Sequence, residues 1–293
     1  APTHWAFGQI AQRAEAPAGY LRTLPAPIAA DAINYGLQFK RNIDEVGVLL
    51  HKTEDGVGTV RAMTGPKYGR VWNRDVTKAL LERFGDGITG KFRVPGEWGK
   101  AVTVTKANTT MYASDEDMFV FLVDEKNRIE MPNRRNGETG TLARGFFVWN
   151  SEVGSKTLGV ATFLFDYVCG NCIVWGAEGY KEIKLRHTVA APERFVEEVT
   201  PALEKYAESS TASITEALET ARNAKLGDKL DDFLANRFGP RMGEKIKLAH
   251  LADEGRPMEN LWDVVVGATA YARNIPFQGE RVELERKAGL ILG

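Results

Sequence analysis

Apolar and polar positions follow two different periods along this chain, and the change between them falls near residue 190. Before it, aromatic and β-branched residues gather in short runs separated by turn signals. Residues 142–149 (LARGFFVW) and 158–168 (LGVATFLFDYV) read as neighbouring strands. The second carries apolar residues on both faces, as a strand covered on two sides requires. Asn150-Ser151-Glu152-Val153-Gly154-Ser155 has the composition of a turn between them. Cys169-Gly170-Asn171-Cys172 follows, and its Gly-Asn pair suits a two-residue hairpin turn leading into Ile173-Val174-Trp175. Residues 181–187 alternate, with Ile183 and Leu185 on one face and Glu182, Lys184 and Arg186 on the other. Beyond residue 190 the spacing becomes helical through Phe195, Val199, Leu203, Tyr206, Ile214, Leu218 and Ala221. Pro201 either kinks one long helix or opens a new one capped by Thr200. Further helices are predicted over 228–238, 243–252, 258–272 and 280–288.

The N-terminal part mixes both periods. Thr3 can cap a helix running to about Ala14, and Pro25 and Pro27 announce another. In that second helix Ile28, Ala32, Tyr35 and Phe39 share one stripe. Residues 46–52 and 58–64 form a predicted hairpin through Glu54-Asp55-Gly56. After a loop over 64–72, Asn73 is placed to cap a helix bearing Val76, Leu80, Leu81 and Phe84, which Gly85 ends. Short strands are predicted over 92–94, 102–105, 110–113 and 118–123. The pattern defines an α+β fold: a mainly antiparallel sheet packed with helices over 1–190, then a helical C-terminal region over 191–293 packed on it.

Composition narrows the function classes. With 293 residues, 43% of them hydrophobic, the chain can bury one large core or two smaller ones. A formal charge of -1, from 38 basic and 39 acidic residues, gives no whole-molecule attraction for nucleic acid, so such binding must come from a local patch. Neither a bilayer-length apolar run nor the features of a signal peptide at Ala1-Pro2-Thr3-His4-Trp5 is present, and two cysteines fit a reducing compartment. The expectation is a cytoplasmic protein without membrane association.

Several familiar motifs fail on context. Gly85-Asp86-Gly87-Ile88-Thr89-Gly90 has dinucleotide-loop spacing but follows a helix, where the phosphate site needs a preceding strand, so it reads as a turn. Gly99-Lys100 is followed by Ala101, not by the Ser or Thr of a phosphate loop. Cys169 and Cys172 lack a second ligand pair for zinc and read as two packed thiols beside a hairpin turn. His4, His51, His187 and His250 show no ligand spacing and read as structural. No catalytic residue, metal site or cofactor is assigned.

Two stretches remain as candidate sites. Asn150, Ser151 and Glu152 join two apolar strands with donors, acceptors and a charge. They read as a locally bonded turn or as a contact for a ligand or a neighbouring subunit. Lys67, Tyr68, Arg70, Trp72 and Arg74, followed by Lys78, interleave cations with aromatic rings. Cations meet phosphates while rings stack on unpaired bases, and Lys184 and Arg186 can add to the patch if their sheet face is open. The alternative is that Tyr68 and Trp72 anchor the loop in the core.

Several of these stretches together resemble a phage and plasmid-like protein family known only as a domain of unknown function. The matching pieces are Trp5-Ala6-Phe7-Gly8-Gln9, 16–22, Tyr68 with Trp72-Asn73, and 118–122. More specific are Asn150-Ser151-Glu152-Val153-Gly154, Val168-Cys169-Gly170-Asn171, and Leu261-Trp262 with 267–273. Cys172 departs from the glycine or histidine expected there. The resemblance implies a mobile-element protein of the bacterial cytoplasm and brings no activity with it. The order of three strands and a long helix from residue 142 also resembles, in topology, the core of phage single-strand annealing proteins. Together these give an expectation of non-catalytic binding of single-stranded DNA in replication or recombination of a mobile element, as a homo-oligomer. The rivals are an enzyme with a site around Asn150-Ser151-Glu152 and a structural or host-interaction protein.

Overall fold

The computed structural model describes residues 1–39, 45–52, 56, 58–95, 111–168, 170–175 and 182–293. In chain order the elements are α1 (His4–Arg13), α2 (Ala18–Leu21), α3 (Ala26–Gln38), β1 (Gly47–Lys52), β2 (Gly58–Thr64), α4 (Asn73–Phe84), β3 (Phe92–Arg93) and β4 (Met111–Ala113). There follow β5 (Met118–Met131), β6 (Gly140–Asn150), β7 (Leu158–Asp166), β8 (Asn171–Val174) and β9 (Ile183–Leu185). The helical part comprises α5 (Ala191–Arg194), a π-helical turn (Phe195–Val199), α6 (Thr200–Glu208), α7 (Ala212–Asn223), α8 (Leu230–Phe238), α9 (Pro240–Glu254), α10 (Leu261–Ala272) and α11 (Gln278–Gly289). This is the α+β architecture the periods predict.

The main sheet is antiparallel, with β5, β6 and β7 at its centre. β3 and β4 share the outer edge of β5, while β8 and β9 share the outer edge of β7. Side-chain alternation then divides the apolar positions between two faces. On one face Met118, Val120, Phe146, Val148 and Leu158 meet Val76, Leu80 and Phe84 of α4 and Phe195, Val199 and Leu203 of the 191–208 helix. Farther along the same face Leu142, Leu164 and Ile173 meet α7 to α10, where Trp262, Val264 and Val265 are fully buried. The opposite face is aromatic: Phe119, Phe121, Phe147, Trp149, Phe163 and Phe165 cluster with Val282 of α11. The C-terminal helices therefore complete the core of the sheet and are not a separate body.

Charge crosses the join between sheet and helices. Buried Arg134 reaches Asp166 at the end of β7 and Glu254 at the end of α9, each at 2.7 Å, and its guanidinium lies 5.5 Å from the Trp262 ring. α10 approaches α9 closely at Gly267, where a Cβ would come 2.8 Å from the Ile246 carbonyl oxygen.

Several local expectations are corrected. Asn73 does not cap α4: Trp72 occupies the cap position without a side-chain bond, and Asn73 is the first helical residue. The β7–β8 hairpin is not closed by a two-residue Gly-Asn turn, because Asp166 pairs with Asn171 and residues 167–170 lie between them, with Gly170 at φ 67°. The 191–208 helix is continuous, so Thr200 does not cap a new one. The π turn absorbs Pro201, and Thr200 Oγ1 donates to the Phe195 carbonyl at 3.1 Å. The stripe on α3 turns largely outward: Ile28, Tyr35 and Phe39 are 54%, 68% and 64% exposed. Gly36 takes the inner side, where a Cβ would sit 2.3 Å from the Ala14 carbonyl oxygen. β5 runs on to Met131 past an irregularity between Val123 and Arg128. The predicted strand over 102–105, Cys169, Lys181 and most of the β1–β2 turn lie outside the described residues.

Candidate nucleic-acid interface

Strand pairing between β6 and β7 begins at Trp149 and Gly159, which leaves the carbonyls of the connecting turn without ladder partners. Side chains from distant parts of the chain supply the missing donors. Tyr68 Oη donates to the Ser151 carbonyl at 2.9 Å, and Arg70 donates to the Glu152 carbonyl. Trp5 Nε1 and Gln9 Nε2 donate to the Val153 carbonyl at 3.1 and 2.8 Å. Gly154 follows at φ 85°, a backbone conformation that favours glycine.

The turn's own side chains complete the junction. Asn150 Nδ2 donates to the Val71 carbonyl and to Asn73 Oδ1, both at 2.8 Å. Ser151 Oγ donates to the Glu116 carbonyl at 2.6 Å and accepts from the amides of Val153 and Ser155. Glu152 Oε2 meets Arg61 of β2 at 2.9 Å, while Oε1 accepts the Asn73 amide at 2.9 Å. The carboxylate thus performs the capping that Asn73 does not, at a helix end where a negative charge is favoured.

This commitment of polar groups bears on the rival enzyme reading. Both carboxylate oxygens of Glu152 are engaged, and the Ser151 hydroxyl donates to a backbone carbonyl and not to a base. Asn150 Oδ1 is buried without a partner. The arrangement holds three segments together and leaves no activated nucleophile. No group of three or more His, Cys, Asp or Glu able to hold a metal occurs among the described residues.

The loop over 65–72 is clamped on its other side by the segment after β9. Gly69 donates its amide to the His187 carbonyl at 3.0 Å, and His187 Nδ1 lies 3.1 Å from the Gly69 carbonyl, so that nitrogen carries the proton. The Tyr68 and His187 rings stack at 4.9 Å. Burial lowers the His187 pKa, which keeps the stacked imidazole neutral. Burial also pushes the Tyr68 hydroxyl up to about 12 against the pull of Arg70, so it stays a donor. The Arg70 guanidinium sits 5.4 Å from the Tyr68 ring and 5.7 Å from the Trp72 ring, between the two.

Outward from this junction the predicted residues divide. Trp72 is 41% exposed, which excludes a purely internal anchoring role. Lys67, Arg74, Lys78 and Arg186 are exposed as well. Among the described residues Arg74 and Lys78 have only exposed intrahelical partners, Asp75 at 3.3 Å and Glu82 at 3.7 Å, contacts that contribute little in water. Tyr68 and Arg70 face inward. Lys184 does not join the group: it pairs with Glu182 at 2.8 Å and lines a cavity with Phe119 and Trp149, on the face of the sheet opposite α4.

Sequence reasoning missed Arg61, Trp5, Gln9 and His187 as parts of the junction. Trp5 and Gln9 stood in the resembling motif, whereas nothing in the sequence signals Arg61. Among the described residues no helix is long and apolar enough to cross a membrane. The chain matches no protein-family model, no curated protein and no solved structure.

Proposed function

We propose that this protein binds single-stranded nucleic acid, without catalysis, at the rim formed by Lys67, Trp72, Arg74, Lys78 and Arg186. One observation carries the reading: an indole is left 41% exposed on a segment that also bears the exposed cations Lys67, Arg74 and Lys78, and the backbone of its loop is fixed from beneath by the turn at 150–155 and by His187. Rigid placement removes most of the ordering cost of presenting a ring to a base. Stacking on such a ring is worth about 1–3 kcal/mol, and cations contribute a salt-dependent term through displaced counterions. The resemblance to phage and plasmid-like proteins supports a setting in replication or recombination of a mobile element in the bacterial cytoplasm. Fluorescence anisotropy of labelled single-stranded DNA, double-stranded DNA and RNA at two salt concentrations tests this reading. Single strands should bind most tightly, and equal or absent binding of all three would remove it.

Self-association is proposed alongside. The outward Ile28 and Tyr35 of α3 with Phe39 at its end, and Val48 and Leu50 of β1, 46% and 64% exposed, are the apolar surfaces that support it. Light scattering should give a mass above the 32.4 kDa of one chain across the micromolar range, and a pure monomer would refute it.

A further inference from the structure

The loop over 65–72 also borders an open cavity of about 440 Å³, within the range of about 300–1,000 Å³ usual for small-molecule sites. Gln9, Gln12 and Arg13 of α1 line it together with Met63, Tyr68 and Gly154. Gly154 keeps it open: a Cβ there would lie 3.4 Å from Tyr68 Cε2 and 3.7 Å from Gln9 Nε2, in the space those side chains bound. No carboxylate occurs among the described lining residues, which suits a position beside a phosphate backbone. The cavity neighbours the proposed rim. The Arg70 guanidinium lies 5.7 Å from the Trp72 ring and donates at 3.3 Å to Thr64 Oγ1 on the cavity wall, so one side chain spans the distance between indole and cavity. Most of the lining polar groups are committed. Gln9 Oε1 accepts the Met63 amide at 2.9 Å while its Nε2 donates to the Val153 carbonyl, and Arg13 donates to the Glu45 carbonyl at 3.2 Å. Gln12 differs: it is exposed, and its carboxamide makes no hydrogen bond to a described residue.

We infer that this cavity receives one unstacked base of the bound strand and prefers adenine, with the Gln12 carboxamide reading its edge. The inference rests on the reading of the rim as a single-strand surface. A carboxamide sets one donor beside one acceptor, the pattern that pairs with the 6-amino group of adenine and an adjacent ring nitrogen such as N7. Guanine is matched instead by a cation at O6 and N7, and cytosine by a carboxylate at its amino group. The lining cation, Arg13, is already engaged by Glu45, and no lining carboxylate is described. Gln9 sits three residues before Gln12 on the same side of α1, but backbone groups hold both ends of its amide, so it serves as a fixed wall. Met63 adds a polarizable thioether surface for the face of the base.

Fluorescence anisotropy of the full chain with three labelled oligonucleotides tests the inference: an oligothymidylate, the same oligomer with one central adenine, and the same oligomer with unsubstituted purine in that place. The adenine oligomer should bind about tenfold more tightly than the other two, the discrimination usual for one bidentate contact. Gln12→Ala should bring the three to equal affinity with melting temperature unchanged, whereas Trp72→Ala should weaken all three alike and keep the preference. Gln12→Met, of similar length, repeats the comparison if Gln12→Ala melts lower. Equal binding of the three oligomers by the parent, or an adenine preference that survives the Gln12 substitution, would overturn the base site and leave the rim standing. Failure of all three to bind would overturn the rim, and the base site with it.

Discussion

Glu152→Ala probes the junction that holds the rim in place. The substitution removes the acceptor for the Asn73 amide at the head of α4, a loss of about 1 kcal/mol for a helix cap. It also removes the carboxylate from the Arg61 guanidinium, whose side chain is 19% exposed and which keeps its bond to the Asp115 carbonyl at 3.2 Å, at a cost of about 1–3 kcal/mol. The sum is on the order of 2–4 kcal/mol. Unfolding entropy of about 2.1 cal/mol/K per residue makes each kcal/mol worth about 1.6 °C in a chain of 293 residues, so the melting temperature should fall by roughly 3–7 °C. Differential scanning fluorimetry on Glu152→Ala, Arg61→Ala and the double variant gives the coupling, expected at about 1–2 kcal/mol. A shift under about 1 °C for Glu152→Ala, or coupling near zero, would refute the claim that this carboxylate joins β2, α4 and the β6–β7 turn.

Other outcomes follow from buried charge and close approach. Burial lifts Glu285 from 4.5 to about 7 despite Arg281, so the stability it contributes is complete below about pH 4.5 and is lost as pH rises through about 7. Thermal melts across that range should decline by an amount on the order of 3 kcal/mol, and Glu285→Gln should flatten the decline. Gly69→Ala places a Cβ 1.8 Å from the Thr188 carbonyl oxygen, so the loop must part from residues 187–189, at roughly 1–3 kcal/mol by chemical denaturation. Arg134→Met leaves Asp166 and Glu254 buried without their cation and should cost about 3–5 kcal/mol, part of which Asp166→Asn with Glu254→Gln restores.

Much of the fold was legible because its signals are local. The doubly apolar pattern of 158–168 reads as a covered central strand, and Thr3 and Gly85 mark helix ends by their own chemistry, whereas the cap at Asn260, inside the stretch 258–272 predicted as helix, was not read. Where local preference misled, a longer-range contact had decided. Asn73 is a good cap residue, but a carboxylate 79 positions away takes that role, which frees Asn73 Oδ1 to receive Asn150. The α3 stripe reads as a core face until Gly36 lets the helix back onto Ala14. At the site, the interleaved cations and rings of 67–74 were visible in the sequence, whereas their division into inward Tyr68 and Arg70 and outward Trp72 and Arg74 was not. That division depends on the reach of a single turn, whose carbonyls attract whichever donors the topology brings near.

The salt dependence of single-stranded DNA binding tests the proposed rim most directly. With about four cations at phosphates, the logarithm of the binding constant should fall against the logarithm of salt with a slope near -3. Lys67→Gln with Arg74→Gln and Lys78→Gln should reduce that slope by about 2. Trp72→Ala should weaken binding by about 1–3 kcal/mol with slope and melting temperature nearly unchanged. A triple variant and a Trp72→Ala variant that both bind like the parent at every salt concentration would contradict the rim as the binding surface.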